Sequence, residues 1–200
     1  MFKMRFCLPK SLGGVTHLLL RSDGRVLTSA EFMGARGGKF GREKFATNEK
    51  WAEFGENLHE NLGQGVDKFE FEENSCELLE QARAQLGAYF AGNLREFSVP
   101  LAEFGSEFER RVYRALREIP YGQTATYSQI AARVGRAKAA RAVGNANAKN
   151  PLPIFVPCHR VVGANSLGGY SGGAGLSNTD PLDIKRFLLK LEGVDLRGLE

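Results

Sequence analysis

Three cysteines, Cys7, Cys76 and Cys158, are too few, too scattered and odd in number for a disulfide framework, so reduced thiols are expected. None belongs to a CxxC pair, and His17, His59 and Cys7 show no ligand spacing, so neither a metal nor a cofactor is expected. No apolar run approaches the roughly 18 residues that a membrane span needs. The opening "MFKMRFCLPK" lacks the apolar stretch of a signal peptide, and a cytoplasmic location without a membrane partner is the expectation. The most informative absence is of acid. No Asp or Glu occurs between Glu118 and Asp180.

That window holds Arg133, Arg136, Lys138, Arg141, Lys149 and Arg160. The net charge of +4 over 200 residues is modest, but residues 1–100 carry 13 basic and 14 acidic side chains, against 14 and 9 in residues 101–200. One-signed stretches of this length attract polyanions, with nucleic acid the leading candidate, although a solvated basic face has the same composition. At 42% hydrophobic, the chain can bury the core of one large domain or two small ones.

The first third reads as β-rich. "VTHLLLRSDGRVLTSAEF" places two apolar runs around Asp23-Gly24, a hairpin signal. Residues 33–50 are glycine-rich and charged, which predicts a mobile loop, and 51–73 are acidic and irregular. "SCELLEQARAQLGAYFAGN" predicts a helix with Ser75 as N-cap, Gly92 as stop, and an apolar stripe of Leu78, Leu79, Ala82, Leu86, Tyr89 and Phe90. Residues 95–106 then read as a connection between two domains. From Ser106 the chain turns helical, with Phe108, Val112, Leu116 and Ile119 on one face. "TYSQIAARVG" and "AKAARAVGNANA" predict two short helices about Gly135-Arg136, a helix-turn-helix pattern. "DPLDIKRFLLKLEG" predicts a final amphipathic helix, with Ile184, Phe187, Leu188 and Leu191 inward and Gly193 as its stop.

Between these elements lies "PLPIFVPCHRVV". Ile154-Phe155-Val156 predicts a short buried strand that Pro157 ends, leaving Cys158 at its edge. A free thiol has a pKa of about 8.5 and reacts only as thiolate, so a histidine able to accept its proton raises the reactive fraction. Adjacency alone does not establish this, because neighbours on a strand point to opposite faces.

The wider pattern is specific. "IPYGQTATYSQIAARVG", "AARAVGNANAKNP", "PIFVPCHRVVG", "GGYSGG" and "LLKLEG", in this order, resemble the O6-alkylguanine-DNA alkyltransferases, or methylated-DNA–protein-cysteine methyltransferases. The resemblance runs from the helix at 76–92 to Gly193 and leaves residues 1–70 almost untouched. It implies an α+β fold: a small sheet-containing N-terminal domain over 1–100, ribonuclease-H-like, and a mostly helical C-terminal domain over 101–200 that carries the helix-turn-helix and the active-site cysteine. It implies that Cys158 takes the alkyl group from guanine O6, that His159 draws the thiol proton through a water, and that Glu192 orients that histidine. Tyr127 corresponds to the tyrosine that protonates guanine N3, and Arg141 to the arginine that fills the stack when the base swings out. Asn150 corresponds to the asparagine that braces the active-site turn. Ser171 corresponds to a group that hydrogen-bonds the flipped guanine, and the resemblance implies that Tyr170, Ala140 and Arg160 join it at the substrate or the DNA.

The implied partner is double-stranded DNA carrying O6-alkylguanine, bound by a monomer in the minor groove through the second helix, Ala137 to Asn147. Residues 172–183 are longer than in compact members of the family, and Glu109 and Tyr113 stand where glutamine and tryptophan are common. Two other readings remain: an alkyltransferase-like protein that binds lesions without repairing them, and a helix-turn-helix transcriptional regulator. The cysteine in its intact "PCHR" setting argues against the first. The alanine-rich second helix weakens the second.

Overall fold

Alternation along Phe2–Cys7 (β1) puts Met4 and Phe6 inside and Lys3 and Arg5 in water, the pattern of a strand with one buried face. In a computed structural model of the chain, which describes residues 1–8, 15–34, 75–171 and 180–199, β1 pairs antiparallel with Val15–Ser22 (β2). Strand β2 pairs in turn with Leu27–Gly34 (β3), giving a sheet of order β1-β2-β3. The hairpin expected at Asp23-Gly24 is present, with a loop of Asp23 to Val26. The Asp23 carboxylate accepts from the backbone N–H groups of Arg25 at 2.8 Å and Val26 at 2.9 Å. The two irregular segments expected at 33–50 and 51–73 lie almost wholly outside the described residues.

The helix Glu77–Phe90 (α1) packs on β1 and β2 with the six expected stripe residues buried. Its N-cap is Cys76 rather than Ser75. The Ser75 hydroxyl instead donates to Glu80 at 3.0 Å, so the helix starts without a side-chain cap. Residues 95–106, expected as a plain connection, also pair with the sheet edge. Leu27 donates to the Pro100 carbonyl at 2.8 Å and Ala102 donates back to Leu27 at 3.0 Å.

The helices of the second half start where side chains can close their first turns. Glu107–Arg117 (α2) has a reciprocal capping box between Ser106 and Glu109, and Tyr127–Arg133 (α3) has one between Thr126 and Gln129. Ala140–Ala148 (α4) completes the helix-turn-helix and packs against both. It begins later than expected because Arg136 to Ala139 close a turn of their own, Ala139 N–H to Arg136 C=O at 2.7 Å. Tyr113, where tryptophan is common in the resembling family, uses its hydroxyl on the Ala146 carbonyl at 3.1 Å and so ties α2 to α4. Two short parallel strands, Ala125–Thr126 (β4) and Val161–Val162 (β5), join the start of α3 to the segment after Cys158. Pro181–Leu191 (α5), capped by Asp180, closes the fold. The architecture is α+β: a small sheet, five α-helices among the described residues, and a mostly helical second half.

One apolar cluster runs through the molecule from Met4 to Leu188. Its spine is aromatic. Phe6 stacks on Phe90 at 5.9 Å, Phe90 meets Phe187 of α5 at 6.3 Å, and Phe97 meets Phe155 at 4.7 Å. Phe90 is wholly buried between sheet and α5, so Phe90→Ala should cost about 3–5 kcal/mol of stability. Urea unfolding measures it, and a loss under about 1 kcal/mol would show that the two halves do not depend on this packing.

Candidate active site

Ile154, Phe155 and Val156 are buried as expected, but they are not a strand. Prolines at 151, 153 and 157 remove the backbone donors that a ladder needs. The segment folds on itself instead, with Val156 N–H to Leu152 C=O at 2.8 Å and Ile154 at φ +74°. A β-branched residue in that region costs on the order of 1–3 kcal/mol, which the buried packing around it must offset. Cys158 therefore sits in a single 3-10 turn, Cys158–Arg160, rather than at a strand edge. In such a turn successive side chains fan out about 120° apart, and Cys158, His159 and Arg160 take different directions.

His159 and Arg160 both turn inward to the end of α5. His159 Nε2 lies 2.8 Å from Glu192 Oε1, and Arg160 grips the same carboxylate with Nε at 2.9 Å and Nη2 at 3.0 Å. Tyr89 Oη donates to Oε1 at 2.7 Å, and the Gly122 N–H donates to Oε2 at 3.2 Å. Gly122 has φ +75°, and a Cβ there would lie 2.8 Å from the Glu192 carbonyl oxygen, so only glycine allows this approach. Burial works against the Glu192 charge, but its bonds to His159 and Arg160 outweigh that and hold the carboxyl at about 2. Burial lowers the His159 pKa against the pull of Glu192, so the ring is neutral at pH 7. An ionised acceptor at Nε2 places the single ring proton there and leaves the Nδ1 lone pair free to act as a base. Nδ1 is buried with no protein hydrogen-bond partner among the described residues.

Cys158 faces the other way. Its sulfur is almost buried yet lines a cavity of about 570 Å³, within the size range of small-molecule sites. Ala140, Arg141, Gly144, Asn147 and Ala148 of α4 form one wall, and Tyr127, Gly169, Tyr170 and Ser171 form the rest. Burial raises the thiol pKa, against the Asn150 hydrogen bond and the Lys185 charge, so the resting group is a thiol that needs a base. Asn150 Nδ2 donates to the Cys158 sulfur at 3.2 Å and the Val156 carbonyl at 2.8 Å, while its Oδ1 accepts from Leu152. Tyr127 Oη donates to the Gly169 carbonyl at 3.3 Å, and burial raises its pKa, keeping it a proton donor. Gly168 has φ +67°, and a Cβ there would press on the Tyr127 ring at 2.8 Å. Ser171 Oγ donates to the Ala148 carbonyl at 2.9 Å and bridges the loop to α4.

Of the ten residues expected at the site, Tyr127, Ala140, Arg141, Cys158, Tyr170 and Ser171 line this cavity, Asn150 is bonded to the sulfur, and Glu192 is bonded to His159, in the same turn as Cys158. Segment 172–179 falls outside the described residues, but α5 beyond it presents Glu192 to His159. Arg160 is the correction. It was expected at the substrate or the DNA, but it is buried, bonded to Glu192 and to the Ile119 carbonyl at 2.7 Å. A guanidinium that neutralises a buried carboxylate is not free to leave it.

Three residues were missed. Tyr89 read as a core aromatic. Lys185 was not singled out, yet its buried ammonium binds the carbonyls of Val161 at 2.6 Å, Leu167 at 2.5 Å and Gly169 at 3.2 Å. Asn147 lines the cavity with both amide atoms buried and without partners among the described residues. Its place on the same helical face as Ala140 and Gly144 was the available signal. Arg133, Arg136, Lys138 and Arg141 are exposed, with no acidic partner among the described residues, whereas Lys149 is paired with Glu109 at 2.9 Å.

The buried relay makes stability pH-dependent. The folded pKa of His159 lies below its ordinary 6.5, so on acidification the unfolded chain takes up that proton first. The contribution is whole above 6.5 and declines as pH falls below it, and Glu192 adds a second loss below 4.5. The urea midpoint should fall between pH 7 and pH 5, and His159→Gln should flatten that part of the curve. An unchanged slope in the variant would contradict the assignment of a neutral ring.

Among the described residues no helix is long and apolar enough to cross a membrane, and no group of three or more His, Cys, Asp or Glu is placed to hold a metal. Residues 107–194 match the family described as 6-O-methylguanine DNA methyltransferase, DNA binding domain. The chain is 51% identical over 137 residues to the methylated-DNA–protein-cysteine methyltransferase of Methanosarcina acetivorans, covering 66% of this chain and 83% of that protein. It is 43% identical over 154 residues to the constitutive methylated-DNA–protein-cysteine methyltransferase of Bacillus subtilis, covering 76% and 83%. Among solved structures, Mycobacterium tuberculosis OGT in complex with DNA superposes with a TM-score of 0.67 at 34% identity, covering 96% of this chain and 92% of that one. The O6-methylguanine-DNA methyltransferase of Pyrococcus kodakaraensis superposes with a TM-score of 0.55 at 28% identity, covering 96% and 98%. With a cysteine at a cavity wall and an imidazole–carboxylate pair behind it, this chain belongs to the methylated-DNA–protein-cysteine methyltransferase family.

Proposed function

We propose that this protein repairs DNA by moving the methyl group of O6-methylguanine onto its own Cys158. The observation that carries the reading is the placement of one sulfur in the wall of a base-sized cavity, with a neutral buried imidazole adjacent to it in the same turn.

The thiol proton passes to Nδ1 of His159, directly or through an intervening water, and Glu192 stabilises the imidazolium that forms. The thiolate then attacks the methyl carbon. The S–C bond forms as the O6–C bond breaks, and the electron pair moves into the purine. Tyr127 gives its proton to N3 of the departing guanine and regains one, by way of solvent, from the imidazolium. The net change is one proton and one methyl exchanged between sulfur and base, with no external reactant. Asn150 holds the turn that aims the sulfur. Ser171, Tyr170 and Ala140 border the space the base would occupy.

The exposed cations of α3, α4 and their turn, without acidic partners among the described residues, suit a backbone-tracking contact with duplex DNA, which requires no sequence code and weakens with salt. Alanine and glycine on α4 permit close approach to a minor groove. Arg141 stands at the cavity rim and fills the stack when the base swings out, offsetting part of the few kcal/mol that flipping costs. The protein acts as a monomer on duplexes carrying O6-alkylguanine. A lesion binder without repair would have no use for a cysteine in this wall.

Cys158→Ser should lower methyl transfer by more than about a thousandfold while DNA binding persists. Wild-type protein should plateau near one methyl per molecule, located by mass spectrometry on the peptide containing Cys158. Transfer by the serine variant, or turnover well past one, would refute the mechanism. Arg141→Ala should slow repair of duplex lesions more than reaction with the free base, and equal losses on both would remove the intercalating role.

A further inference from the structure

We infer that Tyr89, on the helix of the N-terminal half, is a positioning residue for alkyl transfer that tunes the proton affinity of His159 through Glu192. The inference rests on the proposed function and extends the relay by one group. Residues 1–100 were expected to provide support, and the implied site residues all came from the second half. The geometry gives α1 a direct connection to the chemistry.

Tyr89 Oη and His159 Nε2 approach the same oxygen, Glu192 Oε1, at 2.7 Å and 2.8 Å. Arg160 Nη2 reaches that oxygen as well, at 3.0 Å, and donors that share one carboxylate oxygen compete for its charge. A phenol that donates there withdraws electron density from the bond to the imidazole, so the ring holds its second proton less tightly. The phenol is a committed donor. It is wholly buried, and burial together with the Glu192 charge keeps it protonated at every working pH. Its ring is held from three sides, by Phe90 at 5.3 Å, Phe97 at 5.4 Å and Tyr121 at 6.0 Å, which fixes the phenol oxygen beside Glu192.

The other groups around the relay are fixed as well. Arg160 holds both carboxylate oxygens, the Gly122 N–H is on Oε2, and Tyr121 Oη donates to the Leu191 carbonyl instead. Lys185 acts on His159 through its charge while its ammonium is bound to three carbonyls, and Arg95 lies over the far ring of Tyr121 at 5.8 Å. Of these groups, Tyr89 is the neutral side chain that shares an oxygen with the imidazole. Removing its hydroxyl therefore changes the charge available to His159 while the ion pair stays in place.

The test is the pH dependence of the methyl-transfer rate on O6-methylguanine duplex, with DNA binding and thermal stability measured in parallel. Tyr89→Phe should raise the acid limb of the profile by about half a unit to one unit. The rate below that limb would then fall about three- to tenfold, and the rates would converge with wild type above it. Tyr121→Phe, which lacks a bond to Glu192, should leave the limb where it is. Site-specific replacement of Tyr89 by 3-fluorotyrosine, a stronger donor of nearly the same shape, should move the limb to lower pH, and it gives a readout even if Tyr89→Phe folds poorly. An acid limb unmoved in both Tyr89 variants, or a loss of rate equal at every pH, would overturn the inference and leave Tyr89 a packing residue. Wild-type protein that transfers no methyl to Cys158 would overturn the proposed function itself, a separate and earlier failure.

Discussion

A single carboxylate organises this protein. Glu192 is buried at the end of α5 and receives hydrogen bonds from Tyr89, Gly122, His159 and Arg160. An unpaired carboxylate in such a place costs several kcal/mol or gives up its charge. Avoiding that cost requires four distant pieces of chain to meet at one point: α1, the turn after α2, the 3-10 turn and the end of α5. The requirement explains the glycine at 122, the inward arginine at 160 and the fixed tautomer of the histidine between sulfur and acid.

The remainder of the site follows from a separation of charge. The cations proposed to meet DNA stand in water on α3, α4 and their turn, whereas Glu192, Arg160 and Lys185 are buried and hydrogen-bonded. The thiol lies between these zones, at a wall built from small residues of α4. Its burial raises its pKa, so the surroundings alone do not prepare it for attack. In the proposed mechanism its reactivity therefore depends on the neighbouring imidazole as base.

Lys185 shows how loop and catalytic core are joined. Its ammonium collects carbonyls from β5 and from residues 167 and 169, and the Gly169 carbonyl also accepts from Tyr127. One buried cation thus positions the loop that borders the cavity and the tyrosine proposed to donate a proton to the base. Burial brings its pKa down to about 8, so the charge and the third donor that hold the three carbonyls are lost as pH rises past that value.

Much of this was legible from local patterns. The hairpin at Asp23-Gly24, the stripe of α1, the helical chain from Ser106, and the ordered motifs around "PCHR" determine elements and chemistry through short-range rules that operate within a turn or two. The same rules failed where the answer depended on distant chain. Three prolines turned an apparent strand at 154–156 into a coiled segment, because a strand needs backbone partners that an apolar run cannot announce. Arg160 looks like a DNA contact and Tyr89 like core filler until their partner, Glu192, is in view 32 and 103 residues away. Sequence alone determined which residue types could do this chemistry and in what order they occur. Tertiary structure decided which of them face the cavity, which face the acid and which proton the histidine keeps, because those properties depend on burial and on donors brought from elsewhere in the chain.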